Sequence, residues 1–470
     1  MAIFSSLASF FNRHKRKIFI TSTLTVSIYF LFNHFVIKKF RDYQNALRQE
    51  LIFKQQIKQR FIQTQQDCYY TLLALLPVLT TPVIDYLPVE LITHVLRLKK
   101  NNPNGQTAAG SVTGGSNSEL TTDNLNLLDT NNNPQSKMTV YMNKSKVELW
   151  ALLKIKTITR TLTLIYSISG LLLITRLQLN ILARRSYLES AISMAGVKST
   201  NNDINPHDNY LIEQSYLSLS WWLLNKGWVN LNSIIEPLVI KKFESITPKS
   251  ELSIEQFDLI LHDIVNDISI NHKQTILANL FPLNYDDLVE TLFSTNPDLL
   301  VQLEISDSNL NKLINETNSI MLDSQSGFFD LFNSVVSNML NTLANNLSLS
   351  MNNGNGSSSL LLASSSNLRD QEKKDIAAES FLSNANKTFK LASFLAQLSV
   401  QNFILSDNDN LKLEDQVNEE DDIEGFISNL NNPGGILNPS NNDLTGNVYI
   451  NNLYLEELDD FSAGIYSNFE

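Results

Sequence analysis

The stretch KVELWALLKIKTITRTLTLIYSISGLLLITRLQLNILARRSYLESAI, residues 146–192, constrains every other part of this chain. No proline interrupts it, and its apolar residues cover most of a helical circumference where a surface helix would carry one stripe. Such a helix must be covered by other helices or by lipid. The charges decide between the two. Arg160 and Arg176 leave 15 residues between them, too few at about 1.5 Å per residue to cross roughly 30 Å of hydrocarbon. Drawing either arginine to mid-membrane costs about 2.5–3.5 kcal/mol on insertion scales. The stretch therefore reads as a long helix buried inside a helical bundle.

A second apolar run near the start reads differently. RHKRK (13–17) precedes IFITSTLTVSIYFLFNHFVI (18–37), and KKFR (38–41) follows it. Those 20 uncharged residues match the roughly 20 that a membrane-crossing helix needs. Its Ser and Thr hydroxyls can bond back to the helix's own carbonyls. A cleavable signal would need small residues at its end, and NHFVIKKF has none. A transit peptide would be arginine-rich and amphipathic, and an interfacial helix would need a charged face. The expectation is a transmembrane anchor at 18–37. Arg13, Lys15, Arg16 and Lys17 form the basic targeting and membrane-flanking cluster of the basic 1–17 segment. Four Lys/Arg lie before the span and three just after it, so charge bias leaves its direction open.

After the anchor, the spacing predicts one helix from Lys38 to Leu76, ended by Pro77. Within it, QTQQDCYYTLLALLP (63–77) is expected to supply bundle core, with Cys68 as a small buried hydrophobe. A short helix begins near Pro88, and residues 101–137, rich in Asn, Gly, Ser and Thr, read as a disordered insertion. Further helices are expected at 209–243, 253–269, 284–294, 328–350 and 371–405, with a loop at 351–370. The cytosolic body is then a helical bundle over 38–405, and 406–470 an acidic, loosely ordered region that a short helix closes. Strand patterns are nearly absent. The fold class is all-α: an N-terminal transmembrane helix followed by a bundle of long helices with disordered insertions.

Charge and composition limit the function. The net charge is −12, yet residues 1–60 carry eleven Lys and Arg against two acids, a net of +9. The compensating acidity is densest in LKLEDQVNEEDDIEG, 411–425. A basic start before an acidic body suits a membrane surface and argues against nucleic acid. One cysteine allows no intramolecular disulfide and no cysteine-rich zinc site. The six histidines show no metal-ligand spacing, and no nucleophile elbow or phosphate-binding glycine loop occurs. No catalytic, cofactor or metal residues are expected, so the chain reads as a non-enzyme. Asn143, Asn315, Asn346, Asn355 and Asn386 begin N-x-S/T sequons, which makes glycosylation a cheap report on topology.

Four blocks carry a resemblance: FNRHKRKIFIT at the anchor, FIQTQQDCYYTLLALLPVL (61–79), ELWALLKIKTITRTLTLIYSISGLLLITRLQLNILARRSYLE (148–189) and YLSLSWWLLNKGW (216–228). In this order they resemble the peroxin-3 family of peroxisome biogenesis factors. The Asn-rich insertion and the acidic C-terminal region do not match the family pattern and look lineage-specific. The resemblance implies a single-pass docking receptor of the peroxisomal membrane, with its body in the cytosol and a route through the endoplasmic reticulum left open. Its implied partners are peroxin-19, held by an amphipathic helix in an apolar groove, and membrane lipid, with inheritance and selective-autophagy factors as further candidates. The family's K-x-E-[LI]-W motif falls on Lys146, Val147, Glu148, Leu149 and Trp150. The implied groove residues are Leu96, Lys146, Leu149, Trp150 and Leu153. The alternative is a structural membrane tether whose scaffold and low-complexity arms recruit inheritance or autophagy factors.

Overall fold

The computed structural model of the chain describes residues 19–30, 38–101, 134–194, 206–305, 308–323, 325–352, 387–407, 447–451 and 455–467. The basic cluster Arg13, Lys15, Arg16 and Lys17 lies outside them, as do most of the insertion read at 101–137, most of the loop at 351–370 and the acidic run 411–425. Contacts divide the chain into two units, Met1–Gln63 and Thr64–Glu470.

In the first unit, helix α1 (Phe19–Phe30) covers the first part of the anchor expected at 18–37. Its large apolar side chains, Phe19, Ile20, Leu24, Val26, Ile28, Tyr29 and Phe30, are all exposed. Ser22 and Thr23 donate to the Phe19 carbonyl at 3.0 and 2.7 Å, and Thr25 donates to that of Thr21 at 2.7 Å. The hydroxyls thus find partners within the helix itself. Helix α2 (Lys38–Tyr86) also starts in this unit.

The second unit begins within α2, which does not stop at Pro77. It runs through Pro77 and Pro82 to Tyr86. Each proline costs about 3 kcal/mol in a helix interior. Leu72, Leu73, Leu76, Leu79, Val83 and Leu87 are all buried along this stretch, and each such side chain contributes about 1.5–3 kcal/mol. Burial outweighs the two breaks. The LLALLP run does supply core, and Cys68 is buried there. Burial pushes its thiol up to about 12.

From there the order is α3 (Val89–Asn101), α4 (Pro134–Met142), α5 (Lys146–Met194), α6 (Pro206–Ser218), a π-turn (Leu223–Gly227) and α7 (Trp228–Phe243). A short strand β1 (Glu251–Ser253) leads into α8 (Ile254–Asn271), α9 (Lys273–Leu280), α10 (Tyr285–Thr295), α11 (Leu300–Glu304), α12 (Asn309–Leu322) and α13 (Phe328–Asn352). The chain closes with β2 (Thr388–Lys390), α14 (Leu391–Leu405), α15 (Val448–Asn451) and α16 (Glu456–Ser467). The two strands pair antiparallel, with Leu252 opposite Phe389; among the described residues the other long elements are helices.

Helix α5 is the axis of this unit. It touches α3, α6, α7, α9, α12, α13, α14 and α16, and Lys146–Ile192 is long and apolar enough to cross a membrane, yet its middle, residues 157–178, is buried throughout within the fold. The arginines that argued against a membrane span tie its neighbours down. Arg176 donates to Asp459 at 2.8 Å and to Ser462 at 3.3 Å, both on α16. Arg184 reaches Glu316 on α12 and the Ile465 carbonyl. Lys154 donates to the carbonyls of Phe243 and Ile246 at the end of α7, at 2.5 and 2.7 Å. A helix C-terminus presents unpaired carbonyls and partial negative charge, so a buried cation suits it.

The helix expected at 209–243 is broken by turns at Leu219–Ser220 and by the π-turn. At Gly227 an added Cβ would lie 1.9 Å from the Asn279 carbonyl oxygen. Only glycine permits that backbone approach, and Trp222 fixes the same contact by donating to the Ala278 carbonyl at 2.9 Å.

Candidate docking site

One group of residues stands apart from the main core. Val89, Ile92 and Val95 of α3 pack with Leu149 and Leu153 of α5, and Leu96, Met138, Tyr141 and Leu152 are half-buried against them. Helix α3 lays Val89, Ile92, Val95 and Leu96 on one face at helical spacing. Leu149 and Leu153 are one turn apart on the facing helix. Five fully buried side chains are thin support for a thirteen-residue helix, which is marginal by itself.

Polar ties secure both ends of α3. Glu90, in its first turn, accepts from Arg160 of α5 at 2.7 Å on each carboxylate oxygen. Near its last turn, Lys99 donates to the Lys144 carbonyl, just before α5 begins. Because Glu90 meets Arg160 while Lys99 meets the approach to α5, the two helices run antiparallel. The start of α5 is fixed locally by a capping box. Glu148 accepts from the Ser145 backbone N–H at 2.8 Å, and Ser145 Oγ accepts from that of Glu148 at 3.2 Å. Hydrogen bonds from Ser145 hold the Glu148 carboxyl below its ordinary value.

The fold brings Leu96, Leu149 and Leu153 into one cluster and leaves Lys146 and Trp150 outside it. Lys146 is exposed, and Trp150 retains 37% of its surface. They are one turn apart on the flank of the buried seam. Val147 on α5, and Val140 and Met142 on α4, are exposed as well. His94, Arg97 and Lys100 of α3 add exposed basic character, while the exposed acid Glu148 is engaged in the cap. Chemically this is an apolar ledge on helices that also carry exposed cations, suited to an amphipathic acidic segment. Among the described residues no group of three or more His, Cys, Asp or Glu side chains is placed to hold a metal ion.

Sequence reasoning did not single out Ser145, Met138, Tyr141 or the Arg160–Glu90 pair. Ser145 is legible as the first residue of S-x-x-E in SKVE. Met138 and Tyr141 come from a helix emerging at the end of the insertion, where composition masks a short pattern. The Arg160–Glu90 pair carries no local signal, since 70 residues separate its members.

A family profile described as Peroxin-3 matches residues 9–468. Peroxisomal biogenesis factor 3 of Debaryomyces hansenii is 51% identical over 474 residues, covering 100% of both chains. That match includes the insertion and the acidic C-terminal region. Peroxisomal membrane protein PEX3 of Komagataella phaffii is 41% identical over 277 residues, 56% of this chain and 59% of that protein. Peroxisomal biogenesis factor 3 of Saccharomyces cerevisiae is 29% identical over 348 residues, 66% of this chain and 73% of that protein.

Proposed function

This chain belongs to the Peroxin-3 family, and on that footing we propose that it is a peroxisome biogenesis factor working as a docking receptor at the peroxisomal membrane. Its partner is peroxin-19, whose amphipathic helix lies along α3 and the start of α5. Capture there delivers newly made membrane proteins and needs no catalysis. The observation that supports this reading is the separate apolar cluster of α3 and α5 with exposed Trp150 beside buried Leu149, on helices that also carry the exposed cations Arg97, Lys100 and Lys146. A scaffold that only tethered other factors would have no need of a partly exposed tryptophan one turn from an exposed lysine.

The groove residues proposed are Leu96, Lys146, Leu149, Trp150 and Leu153. Leu149 and Leu153 shape the floor, Leu96 and Trp150 offer contact area, and Lys146 steers an acidic partner. Titrating full-length chain in detergent with the peroxin-19 helix peptide tests the reading, and no heat of binding would overturn it. Deleting 101–137 or 406–445 tests the tether alternative, which requires those arms and not the groove.

Residues 18–37 are proposed to anchor the chain once, with the body in the cytosol. Support comes from the uncharged run and the exposed apolar surface of α1. Protease protection on intact organelles carrying N- and C-terminal tags decides it: loss of the C-terminal tag alone fits, and a mobility shift on endoglycosidase treatment rejects it. Membrane lipid follows from the anchor, and inheritance or autophagy factors rest on the family resemblance.

A further inference from the structure

The cluster that joins α3 to α5 is separate from the main core, yet one tie reaches from the core to the far end of α3. Arg160 lies on the same face of α5 as Leu149 and Leu153, two turns beyond Leu153. Its side chain is 2% exposed, while that of Glu90 is 60% exposed. The guanidinium meets the carboxylate through two parallel bonds of 2.7 Å, and Nη1 also reaches the Leu87 carbonyl at 3.4 Å. Ser399 of α14 donates to the same carboxylate at 3.4 Å. Leu87 belongs to the main core and Val89 to the separate cluster, with Pro88 between them.

We propose that the Arg160–Glu90 fork is the positioning device of the docking ledge, setting where the α3 wall stands against α5. The fork acts on the placement of α3 and not as a partner contact, and the inference rests on the docking reading only for its effect on affinity. A planar two-bond fork fixes direction as well as distance. It holds the first turn of α3 at the point where the chain leaves the main core. The Lys99 tie fixes the last turn. Between them, Leu96 is presented at one spacing from Leu149 and Leu153. Without the fork, α3 keeps its own apolar contacts but pivots about Pro88, so partner contacts along Leu96 and Trp150 form in fewer copies. The partner then pays for a wall that no longer stands ready.

The test uses full-length chain in detergent, with the peroxin-19 helix peptide as probe and amide hydrogen exchange as a second readout. Because Arg160 is buried, Arg160→Gln risks unfolding, so the exposed partner carries the test. Glu90→Gln is expected to weaken binding about tenfold and to speed exchange across residues 92–98, with residues 162–174 still protected. Glu90→Asp, which keeps the charge, is expected to recover part of the loss. Binding by Glu90→Gln within about twofold of the parent would overturn the proposal. If the parent chain does not bind the peptide, the docking reading fails, and exchange alone then decides the fork: unchanged rates across 92–98 in Glu90→Gln would overturn it.

Discussion

Leu149 and Trp150 are neighbours on α5 with opposite surroundings: the leucine is 0% exposed in the α3–α5 cluster, and the tryptophan keeps 37% of its surface. Consecutive helical residues point about 100° apart, so the edge of the buried seam passes between them. Leu149 belongs to the fold, whereas Trp150 keeps part of its ring open to solvent.

Trp150→Ala is therefore expected to leave the helical circular dichroism unchanged while removing more than about 2 kcal/mol of binding to the peroxin-19 helix peptide, roughly thirtyfold in Kd. Isothermal titration of both proteins measures it. Equal affinity would take Trp150 out of the groove.

Lys146 sits one turn before Trp150 and is exposed, so its charge acts mainly on encounter. Lys146→Glu is expected to slow association about tenfold at low salt and to flatten its salt dependence, with a smaller effect on dissociation. Stopped-flow mixing over a salt series checks this. A change confined to the dissociation rate would assign Lys146 a contact role instead.

Gly227 faces backbone, not a flexible side chain. In Gly227→Ala the new methyl meets the Asn279 carbonyl oxygen at 1.9 Å, and overpacking of this kind costs about 1–3 kcal/mol. Thermal unfolding of full-length chain in detergent should show a lower midpoint. Gly464, where an added Cβ would meet nothing within 4 Å, serves as the control.

His262 donates toward Asp258 across 3.2 Å on α8. The hydrogen bond to Asp258, ahead of the opposing effect of burial, raises its pKa above the ordinary value. A raised folded value means the contribution is full below the unfolded value of about 6.5 and is lost as pH rises through the folded one. The imidazole is 34% exposed, so solvent screening limits the effect to a few tenths of a kcal/mol. Comparing thermal midpoints of wild type and His262→Asn near pH 6 and 8 should show the wild type ahead only at the lower pH. An advantage at the higher pH would reverse the sign.

Three helices were plainly legible along the chain. Residues 146–192 announce a buried helix by unbroken apolar coverage, and 253–269 and 328–350 by plain helical spacing; α5, α8 and α13 lie there. Of the proposed site, Lys146 and Trp150 came through a family motif, because exposure on a helix flank leaves no periodic trace, and Leu96 came through the family resemblance. Pro77 misled for a stated reason: a local rule about proline met six buried side chains on both sides of the break.

What residues 1–470 determine unaided is helix, its length, and which stretches must avoid water, since these follow from spacing and charge along a few turns. Tertiary structure alone decided which charge answers which. Arg160 finds Glu90 across 70 residues and Arg176 finds Asp459 across 283. It also set α3 against α5 apart from the main core. Those outcomes depend on close packing between distant segments, and the cost of an unpaired buried charge enforces them only once the chain has folded.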